Sequence, residues 1–291
     1  MTTYSFDWVD AFTSTAFGGN PCVVVHDAEG ISLEDRMRLV RETRLSECAY
    51  IVPSEKADFG ARYYLTHAEI PLAGHPTVAT VASLISRGLV GPGEFTLEVG
   101  AGVLPIHVSD DLTVTMTQRA PEFGEIFEPE LIAKMYGLAA DDILGRPQIV
   151  STGTAFCVTL LQDKDALRRA VLDPGLVAVF RDGVDHENAG ILEPFLVTLG
   201  GATEHGDTFS RLLLAPPMPP EDSFTGSATG CMAAYLWHHG YLKRPSFVAE
   251  QGHWMDRPGA ASVQVLGPRE AITGVEVGGK GVVLMTGELA I

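Results

Sequence analysis

Short apolar runs of strand length, separated by turn residues, recur along the first part of the chain: YSFDWV, CVVVHD, CAYIVP, ARYYLTH, FTLEV, VLPIHV and TVTMTQ. Their β-branched and aromatic content predicts strands. Two segments between them read differently. SLEDRMRLVRET places apolar residues at helical spacing on a charged background, with Ser32 as N-cap and Asp35 three residues on. HPTVATVASLISRGL is apolar almost all round, which predicts a helix enclosed by other structure. The second half repeats the recipe. IVSTGTAFCVTLL, PFLVTLG and FSRLLLAP read as strands, SATGCMAAYLWHHGYL as a second enclosed helix, and SFVAEQG and SVQVLG as strands after it.

The repetition holds in register. Gly74-His75 aligns with Gly226-Ser227, and a glycine follows each pair's first residue by 14 positions, at Gly88 and Gly240. Glu98 and Gly100 follow by 24 and 26, as do Glu250 and Gly252. Arg62 in ARYYL matches Arg211 in SRLLL, with three more residues before the second glycine. Such a run predicts an internal duplication and two similar lobes. The reading assigns residues 1–119 to the first lobe, with the C-terminal strand 280–291 as a candidate addition, and residues 120–279 to the second. A cleft between lobes is the expected ligand site.

Composition narrows the function classes. The chain has 291 residues, 46% hydrophobic and 20% charged, which suits a globular protein. A formal net charge of −17 argues against nucleic-acid and anionic-membrane partners. It leaves room for a small anionic substrate, since a local site can be positive inside an acidic protein. Four scattered cysteines, Cys22, Cys48, Cys157 and Cys231, form no C-x-x-C pair. Neither a zinc site nor a disulfide framework is expected, and a reducing cytoplasm is the natural compartment. No signal peptide or membrane-spanning run is read.

The candidate chemistry sits at the two enclosed helices. The first turn of a helix offers unpaired N–H groups and the positive end of a dipole, and glycine lets a ligand approach the backbone. AGHP and TGSATG, with Gly74 and Gly226, are therefore candidate anion receptors. Pro76 suits a first turn. His75, Asp222 and Glu47 would add three proton-transfer groups, with Glu47 at the mouth of an apolar strand where burial could tune it. Each has a plainer reading: a core or capping histidine, a solvated turn aspartate, an exposed strand-edge glutamate, a Ser227 that only caps, glycines that only turn.

Several motifs in order resemble one family. VDAFTSTAFGGNPCVVV, RLSECAY, IPLAGHPTVA, STGTAFCV, EDSFTGSATGCMAAYL and EQGHWMDRPG together resemble the PhzF-like proteins, named from phenazine biosynthesis and related in fold to diaminopimelate epimerase. The resemblance covers nearly the whole chain. It implies an α+β fold of two lobes, each a mixed sheet or barrel around a central helix. It also implies a cofactor-free, metal-free isomerase acting on a small carboxylate, of the trans-2,3-dihydro-3-hydroxyanthranilate isomerase type, and a homodimer. By matching motif, Glu47 would be the general acid/base. His75, Asp222 and Ser227 would complete the site, and Asn20, Gly74 and Gly226 would bind substrate. Epimerases of this fold carry a cysteine at each helix start. Here those places hold His75 and Ser227, so a two-cysteine racemase is not expected. A lyase, dehydratase or epimerase of a similar acid, and a non-catalytic binding protein, remain as alternatives. GVEVGGKG, residues 274–281, lacks the Ser or Thr of a P-loop and is read as a hairpin turn.

Overall fold

The computed structural model describes residues 2–183, 194–216 and 218–291. In chain order the elements are β1 (Thr3–Ala11), β2 (Asn20–Val25), α1 (Leu33–Thr43), β3 (Cys48–Val52), β4 (Phe59–Tyr64), β5 (Glu69–Ile70), α2 (Gly74–Ser86), β6 (Gly93–Val99), β7 (Gly102–Val108) and β8 (Val114–Gln118). There follow β9 (Glu122–Ile126), α3 (Pro129–Met135), β10 (Gln148–Ser151), β11 (Ala155–Leu160), α4 (Lys164–Arg169), α5 (Pro174–Gly183), β12 (Pro194–Leu199), β13 (Thr208–Leu213) and β14 (Glu221–Asp222). The chain closes with α6 (Gly226–His238), β15 (Ser246–Gln251), β16 (Gly259–Leu266), β17 (Gly274–Gly279) and β18 (Gly281–Ala290). The contacts divide it into two compact units. One comprises Met1–Thr117, Asp256–Gly259 and Gly278–Ile291, the other Gln118–Met255 and Ala260–Val277.

Each unit is a mixed sheet packed on one buried helix. In the first, β1 lies antiparallel between β18 and β2. Then β2 and β3 run parallel, β3 and β4 antiparallel, and β4 and β6 parallel. In the second, β9 and β10 pair antiparallel, as do β10 and β11. Next, β11 and β12 run parallel, β12 and β13 antiparallel, and β13 and β15 parallel. The succession of pairings is the same, and so is the register. Gly60 faces Glu98 as Phe209 faces Glu250, and Tyr63 faces Ile70 as Leu212 faces Asp222.

The two helices explain their own composition. α2 packs on β1, β2, β3 and β18, and every residue from Gly74 to Leu84 is buried. α6 packs on β10, β11 and β12 and is buried nearly throughout. Strand on several sides leaves no face for water, so neither helix can be amphipathic. Burying Val78, Val81 and Leu84 contributes roughly 1.5–3 kcal/mol each. Both helices have 13 residues and end alike. Gly88 (φ 68°) and Gly240 (φ 79°) take the left-handed conformation that turns the chain out. Just before them, Arg87 clamps the fully buried Asp7 with two bonds of 2.7 and 2.9 Å, and His239 meets Gln148 Oε1 at 2.8 Å. In contrast, α1 has one wet face. Its Ser32 Oγ accepts from the Asp35 N–H at 3.1 Å, the expected cap.

The reading of residues 274–281 as a hairpin turn needs correcting. Residues 274–279 are strand, and Lys280 alone separates β17 from β18. Gly279 is there for close packing, because an added Cβ would overlap the ring of Phe12.

Candidate active site

The first unit gathers three of the nominated residues at one end of its sheet. Strands β2 and β3 run parallel with Val23 opposite Cys48, so β2 starts three residues ahead of β3 at the same end of the sheet. Asn20, 2% exposed, opens β2, and Glu47 immediately precedes β3. The first turn of α2 brings His75 beside Glu47. Its Nδ1 stands 3.7 Å from Oε2 of Glu47. The Glu47 side chain is 16% exposed, buried enough to feel its surroundings and open enough to meet a ligand.

That contact is not an ion pair. Burial pushes His75 down to about 3, so its imidazole is neutral at physiological pH. The physical balance is clear. Charging it would put an N–H on both ring nitrogens, and Nε2 is buried with no hydrogen-bond partner among the described residues. A contact of 3.7 Å, longer than a hydrogen bond, recovers little of that cost. His75 is therefore a neutral hydrogen-bonding group beside the carboxylate.

The loop that delivers Asn20 is held from beneath. Asp10, fully buried, accepts from the Phe17 N–H at 2.8 Å and from Arg257 Nη2 at 2.6 Å. Arg257 also donates to the carbonyls of Gly18 and Gly19, at 2.8 and 2.9 Å. Gly19 adopts φ 53°, and a Cβ there would run into the carbonyl of Ala11. Asp10 and Arg257 were not nominated from the sequence. Both fall inside the quoted motifs VDAF and DRPG, but nothing in the letters pairs residues so distant in the chain.

The second unit carries the other group. Asp222 ends β14, 8% exposed, and accepts a 2.6 Å bond from the Thr225 hydroxyl. Thr225 precedes α6, whose first two residues are Gly226 and the half-buried Ser227. Thr225 is a residue type that usually caps a helix, yet its side chain makes no cap bond, and neither does Ala73 at the start of α2. Neither helix is thus capped by its own N-cap side chain, which suits an anion receptor. Gln118, also missed from the sequence, donates to the Gly226 carbonyl at 2.9 Å and accepts from Thr152 Oγ1 at 2.5 Å. It lies over Gly230, where a Cβ would overlap its amide. Gly230→Ala is therefore expected to unseat Gln118 and destabilise the fold by roughly 1–3 kcal/mol. Denaturant titration checks it, and an unchanged midpoint would contradict this packing.

Thiol chemistry finds no support at either helix. Cys48 and Cys231 are fully buried, and burial pushes their thiols up to about 12 and about 11. Among the described residues, no three His, Cys, Asp or Glu side chains are grouped to hold a metal ion. No helix among them is long and apolar enough to cross a membrane.

Comparison with known proteins places these features in context. The sequence profile described as phenazine biosynthesis-like protein matches residues 9–287. An uncharacterized isomerase of Salmonella typhimurium is 32% identical, with 97% of each chain covered. The trans-2,3-dihydro-3-hydroxyanthranilate isomerase of Pseudomonas fluorescens is 26% identical, over 97% of this chain and 98% of that one. A PhzF-family phenazine biosynthesis protein of Bacillus anthracis superposes with a TM-score of 0.86 at 26% identity, each chain covered in full. A hydroxyproline epimerase of Agrobacterium vitis shares the fold alone, with a TM-score of 0.67 at 14% identity over 99% of this chain and 93% of that one.

Proposed function

We propose a reaction for this chain, which belongs to the phenazine biosynthesis-like (PhzF) family and is an isomerase: proton transfer between two carbons of a small, conjugated carboxylate, without a cofactor. The observation that carries it is the Glu47–His75 pair, a carboxylate 3.7 Å from a buried neutral imidazole in the first turn of α2. Glu47 takes a proton from one carbon, and the electron pair spreads through the conjugated system. The same carboxyl returns the proton to another carbon. No bond to a leaving group breaks and no electrons leave the substrate, so substrate and product are isomers. His75 donates a hydrogen bond to the oxygen on which charge develops, which a neutral imidazole can do. The N–H groups opened by Gly74 receive the carboxylate. Asn20, Asp222 and Ser227 orient the ring. The trans-2,3-dihydro-3-hydroxyanthranilate of the Pseudomonas relative is the first substrate to try.

The test is turnover of that compound in D2O, followed by NMR and mass spectrometry. Isomerisation gives a product with the substrate's formula and deuterium at one carbon. Loss of water would instead make the protein a lyase. Neither deuterium uptake nor product, from this and related cyclic carboxylates, would sink the proton-transfer reading.

A further inference from the structure

The two units build the same turn from opposite materials. In the first, the three residues that frame the entry to α2 are Ile70, Ala73 and Val99, all apolar. The positions matched to them in register are Asp222, Thr225 and Gln251 in the second unit. Fold requirements do not demand polarity here, since the first unit makes an equal strand, turn and 13-residue helix without it. Buried polar groups are costly unless fully bonded. Their presence in one copy alone calls for a reason other than the turn.

The bonding in that copy is complete and directional. Gln251 is fully buried. Its Oε1 accepts from the Thr225 backbone N–H at 3.0 Å. Its Nε2 donates to the Asp222 carbonyl at 2.8 Å and to the Thr225 hydroxyl at 3.2 Å. The amide has no second orientation, because a flip would set a donor against the Thr225 N–H and an acceptor against the Asp222 carbonyl. With its oxygen occupied by the amide donor, the Thr225 hydroxyl sends its own hydrogen to Asp222 Oδ2, at 2.6 Å. The same commitment turns that hydroxyl away from the first turn of α6, which it would otherwise cap.

We propose that Gln251 and Thr225 are positioning residues that hold the Asp222 side chain as a hydrogen-bond acceptor of fixed orientation, and keep the Thr225 hydroxyl off the first turn of α6, for the isomerase reaction. The inference rests on the proton-transfer reading above. Gln251 fixes Thr225, Thr225 fixes the carboxylate, and neither touches substrate.

Two substitutions test it. Gln251→Met fills the space with an apolar chain, the solution the first unit uses with Val99. Thr225→Val removes the hydroxyl alone, and Thr225→Ser restores it. With trans-2,3-dihydro-3-hydroxyanthranilate as the assay substrate, Gln251→Met and Thr225→Val are each expected to lower kcat at least 30-fold. KM should stay within about threefold, and Thr225→Ser within fivefold of wild-type kcat. A crystal structure of Gln251→Met should show the Asp222 carboxylate turned from its present position. A purely structural role would lower Tm in these variants and leave kcat near wild type, which would overturn the proposal. Asp222 unmoved in the Gln251→Met structure would overturn it as well. A wild-type protein inert toward the substrate would count against the proton-transfer reading, while the crystallographic arm still decides whether Gln251 fixes the Asp222 carboxylate.

Discussion

Glu47→Gln is expected to reduce turnover at least a thousandfold while leaving the fold and the binding of a small aromatic carboxylate close to wild type. The amide has the size of the carboxyl and keeps a hydrogen-bonding oxygen, so the 3.7 Å approach to His75 Nδ1 survives. What it loses is the ability to accept a proton from carbon and give it back. The replacement sits just before β3 with its side chain 16% exposed, so it opens no cavity and strands no charge. Positioned acid–base groups supply about 10²–10⁴-fold in rate. A residue acting as both the acceptor and the donor stands at the upper end. The check has three arms: product formation, deuterium uptake in D2O, and Tm. Product at wild-type rate would remove Glu47 from the mechanism. Lost product with a collapsed Tm would show only a misfolded variant, and anthranilate binding by calorimetry guards against that reading.

The result bears on what kind of site this is. A fold shared with proline racemase-like epimerases carries no guarantee of their chemistry. Here the position that opens α2 is a neutral histidine, the position that opens α6 is a half-buried serine, and the nearby thiols are buried and held protonated. One carboxyl that both removes and returns a proton fits these groups better than two opposed thiols. It also suits isomerisation, in which the proton goes back to a different carbon.

Much of this was legible in the letters, for identifiable reasons. The enclosed helices showed because α2 and α6 have no wet face, and the duplication showed because Gly88 and Gly240 both need a left-handed backbone. Glu47 stood out because a carboxylate at the mouth of an apolar strand asks for an explanation, His75 and Ser227 because the duplication sets them at matching helix starts, and the role of Asp222 came with the family motif. The two-residue strands β5 and β14 left no trace, being too short for any period to register. The glycines of β17 misled, because glycine for close packing and glycine for turning are written alike. Gln118, Gln251, Asp10 and Arg257 were missed because their roles lie in partners distant in sequence. One clue was available: the glycine register already set Val99 against Gln251 and Ala73 against Thr225, a polar residue where the other copy has none.

The second large effect is on stability in acid. His75 titrates near 3 in the folded protein against an ordinary 6.5, with burial as the cause. As pH falls below about 6.5, the unfolded chain binds a proton that the folded chain refuses. Stability tied to His75 is thus complete above pH 6.5 and declines as pH falls toward 3. The steepest slope is about 1.4 kcal/mol per pH unit, and the total is on the order of 5 kcal/mol. His26 and His239 are also held below their ordinary value by burial, and they add to the decline in the same direction. Asp7 is held low despite its burial, through Arg87 and Ser83, so its stabilising contribution is complete above its ordinary 3.8 and is lost only below it. The comparison that isolates His75 is therefore wild type against His75→Gln between pH 4.5 and 6.5, by denaturant unfolding at each pH. The variant is expected to take up close to one proton fewer on unfolding, which shows as a shallower dependence of stability on pH. Equal slopes would mean that the imidazole protonates freely in the folded state. In that case the group beside Glu47 would be an imidazolium, and the carboxylate would spend its charge on its neighbour instead of on substrate.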